Sequence, residues 1–108
     1  MPTHQEIDQR SLAMHRIVAD KVRRDAQLLD KARATLKRWH QTVSPRTFVY
    51  LDEWQRLLDQ GEQACLAMAT EDSERAAALR QASPLACLLT SKERFDFLKS
   101  WKLHHASR

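Results

Sequence analysis

The sequence predicts an all-α fold, a compact bundle of five to six short helices that forms a single helical domain over residues 1–108. Glycine and proline are scarce, with one glycine and three prolines in the chain, whereas β-hairpins need such residues at their corners. Ala, Leu, Arg, Gln, Lys and Glu dominate the composition, and these are good helix formers. Apolar residues also recur at helical spacing, and a chain of this length can bury one core.

The first helical block begins at Thr3, which forms a capping box with Glu6. Apolar residues continue at helical spacing as far as Trp39, which fits either one long helix or two helices that meet at Asp25. We favour two helices, because aspartate is a good N-cap and a helix of about 37 residues is unusual in so short a domain.

The middle of the chain carries further helix boundaries. Residues 44–45, a serine followed by a proline, are typical of a helix start, and Gly61 is placed to end that helix. Residues 62–81 are predicted to be helical, with a fresh start at Asp72 or Ser73. The serine–proline signal returns at residues 83–84, and a second capping box, Thr90 with Glu93, opens the last helix.

Several functional classes are excluded by what the sequence lacks. Its longest uncharged stretch, residues 81–91, has eleven residues and includes a proline, whereas a membrane-spanning helix needs about 20 apolar residues. The N-terminus has no apolar segment typical of a signal peptide, so we expect a cytoplasmic protein. A glycine-rich phosphate loop, a Cys-x-x-Cys pair and a nucleophile elbow are all missing, so we expect no enzyme activity, cofactor or metal site.

Charge is segregated along the chain, with net charges of +5 over residues 1–47, −6 over residues 48–74 and +5 over residues 75–108. Arg24, Lys31 and Arg38 recur at seven-residue steps, so one helical side could contact nucleic-acid phosphates. The alternative is an ordinary solvated helix face. Because aspartates interrupt this basic run, we expect any nucleic-acid binding to be weak and non-specific.

Residues 79–95 read Leu-Arg-Gln-Ala-Ser-Pro-Leu-Ala-Cys-Leu-Leu-Thr-Ser-Lys-Glu-Arg-Phe. This segment resembles the C-terminal tail of small bacterial antitoxin-like proteins encoded in toxin–antitoxin operons. In that family the tail reads Leu-Arg, then Ser-Pro-Phe-Ala-Gly, two aliphatic residues and Ser/Thr-Pro-x-Glu-Arg-Trp. In this chain Leu85 replaces the phenylalanine, Cys87 the glycine, Ser91 the proline and Phe95 the tryptophan. The helix-turn-helix that many members carry before this tail is not found here.

The resemblance implies a non-enzymatic antitoxin that binds and neutralises a cognate toxin protein, with residues 79–103 as the partner-docking element. Tryptophan and arginine are enriched at interface hot spots, and amphipathic helices dock into grooves. The candidate partner-binding residues are Arg80, Leu85, Leu88, Leu89, Arg94, Phe95 and Trp101. An alternative is that the three leucines close the core of the domain instead.

Other functions stay open at this stage. A small DNA-binding transcriptional regulator would use the basic N-terminal helices, with Arg24, Lys31 and Arg38 as its nucleic-acid face. A toxin is less favoured, because no catalytic set of residues is visible. In the antitoxin interpretation the acidic residues 48–74 are available to meet a basic surface of the partner, and a homo-oligomer is compatible with the sequence.

Overall fold

Six α-helices and two short 3₁₀ helices form residues 3–105, which are the part of the chain that the computed structural model describes. The helices are α1 (His4–Arg24), α2 (Leu28–Thr42), α3 (Phe48–Gln60), α4 (Glu62–Ala69), α5 (Glu74–Arg80) and α6 (Ser91–His105). The 3₁₀ helices Pro45–Thr47 and Pro84–Leu88 precede α3 and α6. Since this described part contains no strand, the predicted all-α class and the number of helices are confirmed. Residues 1–2 and 106–108 of the predicted domain lie outside it.

The N-terminal block is divided into two helices, as the sequence predicts. Thr3 caps α1, because its Oγ1 accepts a hydrogen bond from the backbone N–H of Glu6 at 3.1 Å. The break covers residues 25–27, where Asp25 ends α1 and its carboxylate accepts from the backbone N–H of Gln27 at 3.2 Å. A short aspartate side chain competes in this way with the helical hydrogen bonds of its own backbone. Asp25 is therefore not the N-cap of α2 that the sequence suggested, since α2 begins after Gln27 with no side-chain cap.

Local capping also sets the boundaries of α3, α4 and α5. The serine–proline pair at residues 44–45 starts a 3₁₀ turn, and α3 itself begins only at Phe48. Gly61 ends α3 with a φ of 124°, a conformation that L side chains rarely adopt. Of the two predicted starts for α5, Ser73 is the cap, since its Oγ accepts from the N–H of Ala76 at 3.1 Å.

The core lies between α1, α2, α3 and α4 and is closed by the 3₁₀ helix Pro84–Leu88, which packs on α1 and α2. Trp54 of α3 is fully buried there, and its indole N–H donates to the carbonyl oxygen of Leu79 at 2.8 Å. This bond joins the centre of the core to the end of α5. The principal members of the core are Val18, Val22, Leu29, Leu36, Leu51, Trp54, Leu58, Cys65, Leu66, Leu79, Leu85 and Leu88.

Helix α6 lies on the outside of this bundle, and none of its fifteen residues is buried. Its capping box is complete, because the N–H of Glu93 donates to Thr90 Oγ1 at 3.1 Å and the N–H of Thr90 donates to Glu93 Oε1 at 2.8 Å. Glu93 contacts Lys21 near the end of α1, while Trp101 shares an open surface groove with Thr3 at its start. The helix therefore runs antiparallel to α1.

Candidate partner-binding surface

The structure divides the predicted docking element, residues 79–103, into a buried part and an exposed part. Arg80, Leu85, Leu88 and Leu89 are each at most 8% exposed and belong to the interior of the domain. They were candidate partner-binding residues, but the segment that carries them folds onto α1 and α2. For the three leucines the structure favours the core alternative, and none of these four side chains is available at the surface.

Arg80 has a structural role that its position explains. Its Nη1 donates to the carbonyl oxygens of Ala69 at 3.1 Å and Glu71 at 2.7 Å, at the C-terminal end of α4. A guanidinium in this position satisfies carbonyls that a helix end leaves free and complements the negative end of the helix dipole. Burial lowers the pKa of Arg80 from its usual value. The arginine thus holds the turn between α4 and α5.

The other three candidate residues lie on α6 and are accessible. Phe95 is 64% exposed and Trp101 is half-buried. Arg94 is exposed, and its Nη2 donates to the carbonyl oxygen of Ala86 at 2.9 Å. Leu103, which the sequence analysis did not single out, is 72% exposed. Phe95 and Leu103 lie two turns apart on the outward side of α6, and we call this pair the outer apolar patch.

The N-terminal end of α6 is attached to the bundle by polar contacts. Lys21 Nζ donates to Glu93 Oε1 at 2.5 Å and to the carbonyl oxygen of Leu88 at 3.0 Å. The hydrogen bond from Lys21, with that from the backbone N–H of Thr90, lowers the pKa of Glu93 to about 2. These bonds orient α6 relative to α1 and to the buried 3₁₀ helix.

A row of aromatic side chains lies along the side of α6 that faces α1. The ring centroids of Phe97 and Trp101 are 6.1 Å apart, and Trp101 stacks on His105 with a centroid distance of 3.7 Å. An open groove remains between these rings and α1, lined by Ile7 and Met14 on the α1 side. Helix α6 therefore presents two different surfaces, the outer apolar patch and this groove.

The candidate nucleic-acid residues are all exposed, but they do not form one continuous helical stripe. Arg24 is the last residue of α1, whereas Lys31 and Arg38 lie on α2 beyond the break. Because the seven-residue spacing assumes an unbroken helix, only Lys31 and Arg38 share a helical side. Nearby carboxylates already hold two further arginines, with Asp20 paired to Arg23 at 2.9 Å and Asp30 to Arg33 at 3.1 Å.

The acidic region is partly neutralised within the domain. Glu53 pairs with Arg56 on α3 and with Arg75 on α5 at 2.7 Å. Its pKa is lowered by these contacts, chiefly by the hydrogen bond from Arg56. Asp52 accepts from His40 Nε2 at 2.9 Å, and this bond raises the pKa of His40. Two of the seven carboxylates of residues 48–74, Asp52 and Glu53, therefore have basic partners in the fold.

His15 is a polar residue in the core that the sequence analysis missed. Its side chain is 1% exposed, and burial lowers the pKa of His15 to about 4. The signal was the helical spacing of His15 with Val18, Val22 and the buried Leu12. A histidine on an apolar helical face is easily overlooked, because the pattern is scored on apolar residues alone.

Within residues 3–105 no three His, Cys, Asp or Glu side chains come together in a way that could hold a metal ion. Both cysteines are free thiols; Cys65 is buried and Cys87 is exposed. Of the helices in this range, none has the length and apolar character to cross a membrane.

Comparison of the chain with protein-family models, with curated proteins and with solved structures finds no match.

Proposed function

We propose that this chain is a protein-interaction module, a cytoplasmic antitoxin that binds and neutralises a cognate toxin protein through α6. The observation that carries the proposal is the exposure of α6, whose outer apolar patch places Phe95 and Leu103 in solvent. Large apolar side chains on an otherwise polar helix are typical of a helix that docks onto another protein. The resemblance of residues 79–95 to antitoxin tails supports the choice of a toxin as the partner.

The tail motif acts in this proposal as a support for α6, not as the contact itself. Its serine, proline and leucines build the buried 3₁₀ helix Pro84–Leu88. That helix offers the carbonyl oxygens of Ala86 and Leu88 to Arg94 and Lys21, which fix the start of α6. A motif can thus be needed for binding although most of its side chains never touch the partner.

Charge gives the outer side of α6 a preference for an acidic partner surface. Near Phe95 and Leu103 the helix carries Lys92, Asp96 and Lys99. Lys92 is paired with Asp96 at 2.7 Å, whereas Lys99 lies beside the outer apolar patch and is exposed. Complementary charge around an apolar centre speeds encounter and suppresses wrong partners. Binding of the toxin would cover its working surface by steric masking.

The proposal is tested by alanine substitution of the outer apolar patch. We expect Phe95→Ala to weaken binding to the product of the adjacent gene by about 30-fold, the effect of losing a hot spot worth about 2 kcal/mol. Leu103→Ala should act in the same direction. Because neither side chain is buried, the melting temperature should stay close to that of the original chain. Affinity is measured by isothermal titration calorimetry and stability by thermal melting of the same variants.

Val49→Ala is the matched control, since Val49 on α3 is 66% exposed and equally apolar but lies outside the C-terminal element. It should leave both affinity and melting temperature unchanged. Equal affinities for the Phe95→Ala variant, the Leu103→Ala variant and the control would remove α6 from the interface. Loss of binding that is fully explained by loss of stability would do the same.

A further inference from the structure

The groove between α1 and α6 is an apolar feature that the proposed contact through the outer apolar patch leaves unused. Ile7 and Met14 line it from α1, Phe97 and Leu98 line it from α6, and Ala77 of α5 also contributes to the lining. The space measures about 330 Å³, which is enough for two or three large side chains.

Basic groups surround this groove. Arg10 and Arg94 line it, and its continuation toward the end of α6 is bordered by Lys102. Asp8 is the one carboxylate in this lining, while Glu6, Asp72 and Glu74 belong to neighbouring grooves. Within the groove and its continuation, three cations therefore stand against one carboxylate around an apolar interior. One nitrogen of Arg94 is held by the carbonyl of Ala86, which fixes the position of its guanidinium.

We propose that this groove binds an acidic, apolar segment of the partner protein, with large apolar side chains inside and carboxylates on Arg10, Arg94 and Lys102. The inference rests on the proposed function, since it gives the partner a second contact on the opposite side of α6. Carboxylates fit arginine well, because a guanidinium can hold both oxygens of one carboxylate. Apolar side chains gain by leaving water for a pocket lined by Ile7, Met14, Phe97 and Leu98.

Charge complementarity selects this occupant over others. A nucleic acid would satisfy the basic border but would leave the apolar interior without a partner, since phosphate contacts dominate such binding. A basic segment would be repelled by the three cations. A second copy of this chain would have to bring its own acidic region, where Asp52 and Glu53 are already paired within the domain. The segment of a different, acidic protein has neither problem.

The test uses the full chain with three fluorescein-labelled peptides that differ only in their side chains. The first has paired leucines separated by paired glutamates, the second has lysine in place of each glutamate, and the third has serine in place of each leucine. We expect the first alone to bind by fluorescence anisotropy, with an affinity that falls as salt rises. Its binding should shift the ¹⁵N-amide resonances of Ile7, Met14 and Leu98 in two-dimensional NMR spectra.

Paired charge-reversal variants locate the site. Arg10→Glu combined with Lys102→Glu should reduce affinity for the first peptide by about tenfold or more. Lys31→Glu combined with Lys37→Glu, which makes the same change of charge on the exposed side of α2, should leave that affinity unchanged. Both double variants replace exposed side chains, so their circular dichroism spectra should match that of the original chain.

Four outcomes would overturn the inference: equal binding of all three peptides, binding of none, amide shifts that avoid the groove, or equal losses in both double variants. A concentration-dependent dimer that protects the same amides would assign the groove to a second copy instead. The toxin titration keeps this failure separate from that of the proposed function. If Phe95→Ala weakens toxin binding and the Arg10→Glu, Lys102→Glu double variant does not, the proposed function stands and the groove is not used. If the first peptide binds in the groove and the toxin does not bind the chain, the groove is a binding site and the proposed function fails.

Discussion

At the scale of single residues, the imidazole of His15 is the group most sensitive to solution conditions. Its Nδ1 donates to the carbonyl oxygen of Ser11 at 2.8 Å, which leaves Nε2 as the unprotonated nitrogen. Nε2 is buried and has no hydrogen-bond partner among the described residues. Burial is the main reason for the low pKa, and the guanidinium groups of Arg80 and Arg94 act in the same direction. His15 is therefore neutral in the folded chain at neutral pH.

This histidine makes folding stability depend on mildly acidic pH. The pKa of His15 is about 4 in the folded chain and about 6.5 in the unfolded chain, so the unfolded chain takes up the proton first. Its contribution to stability is complete above pH 6.5 and is lost as the pH falls toward 4. We expect the free energy of unfolding to drop by about 2 kcal/mol between about pH 7 and pH 5, measured by urea denaturation.

His15→Gln is the variant that isolates this effect, because it should flatten the loss between pH 7 and pH 5 whatever its absolute stability. His40 is the matched control: its pKa is raised, so its contribution is present below pH 6.5 and fades as the pH rises through the folded-state value. His40→Gln should therefore steepen the loss on acidification. An identical pH slope in the original chain and in the His15→Gln variant would refute the assignment.

Residues that act on their own neighbours were predictable from the sequence. Ser73, Gly61 and Thr90 sit where their capping chemistry placed them, because a cap depends only on the next few residues. Arg80 and Leu85 were not predictable in the same way. Leu85 is buried where the 3₁₀ helix Pro84–Leu88 packs on α1 and α2, and Arg80 is buried in α5, which packs on α1. These contacts join segments that are distant in the chain.

At the scale of elements, removal of α6 and removal of the segment before it should have different effects on the stability of the bundle. A chain that ends at Thr90 keeps every buried side chain of the described structure, since α6 has none. We expect it to remain helical and to unfold cooperatively, with stability lower by little more than the contacts of Lys21 and Glu93 provide. Circular dichroism and thermal melting measure both properties, and toxin binding should be lost.

A chain that ends at Ala78 is the contrasting truncation. It removes Leu79, Leu85 and Leu88 from the core and takes away the carbonyl that accepts from the indole of Trp54. Each large core side chain typically contributes about 2–5 kcal/mol, and a small domain has about 5–15 kcal/mol in all. This truncation should not fold. A stable fold for the Ala78 truncation, or an unfolded Thr90 truncation, would contradict the division of residues 79–103.

The break between α1 and α2 shows which part of an element the sequence can specify. Composition and apolar periodicity fit one long helix and two helices equally well. The break at Asp25 decides between the two possibilities. The break at Asp25 also places Arg24 on α1, whereas Lys31 and Arg38 share a side of α2. A helical stripe deduced from spacing alone is therefore only as reliable as the continuity of the helix that carries it.

At the scale of the whole molecule, the net charge of +4 is spread over separate elements. Lys31 and Arg38 are exposed on α2, but Asp20 and Asp30 hold the arginines beside them. We expect only weak, non-specific binding to duplex DNA, far from the roughly 10⁻⁸ M typical of specific recognition at physiological salt. Electrophoretic mobility shift across a salt series measures this. Tight, sequence-selective binding would instead support a DNA-binding regulator.

The class of the molecule followed from composition, whereas its arrangement did not. A chain with one glycine and abundant helix formers has few alternatives to a helical bundle. Which helices meet is decided by side-chain fit, as where Trp54 of α3 reaches the end of α5. The candidate site shows the same limit: the sequence treats residues 79–103 as one docking element, whereas the structure buries its first part and exposes its last.

The absence of buried side chains in α6 also has a consequence for local unfolding. Opening of a segment exposes only what that segment buries, so α6 should detach at a free-energy cost well below that of unfolding the bundle. Its amide hydrogens would then exchange with solvent long before those of α1 and α3. A partner that binds α6 would slow hydrogen exchange in this helix alone. Amide exchange in α6 would therefore report whether the partner is bound, while the rest of the domain stays folded.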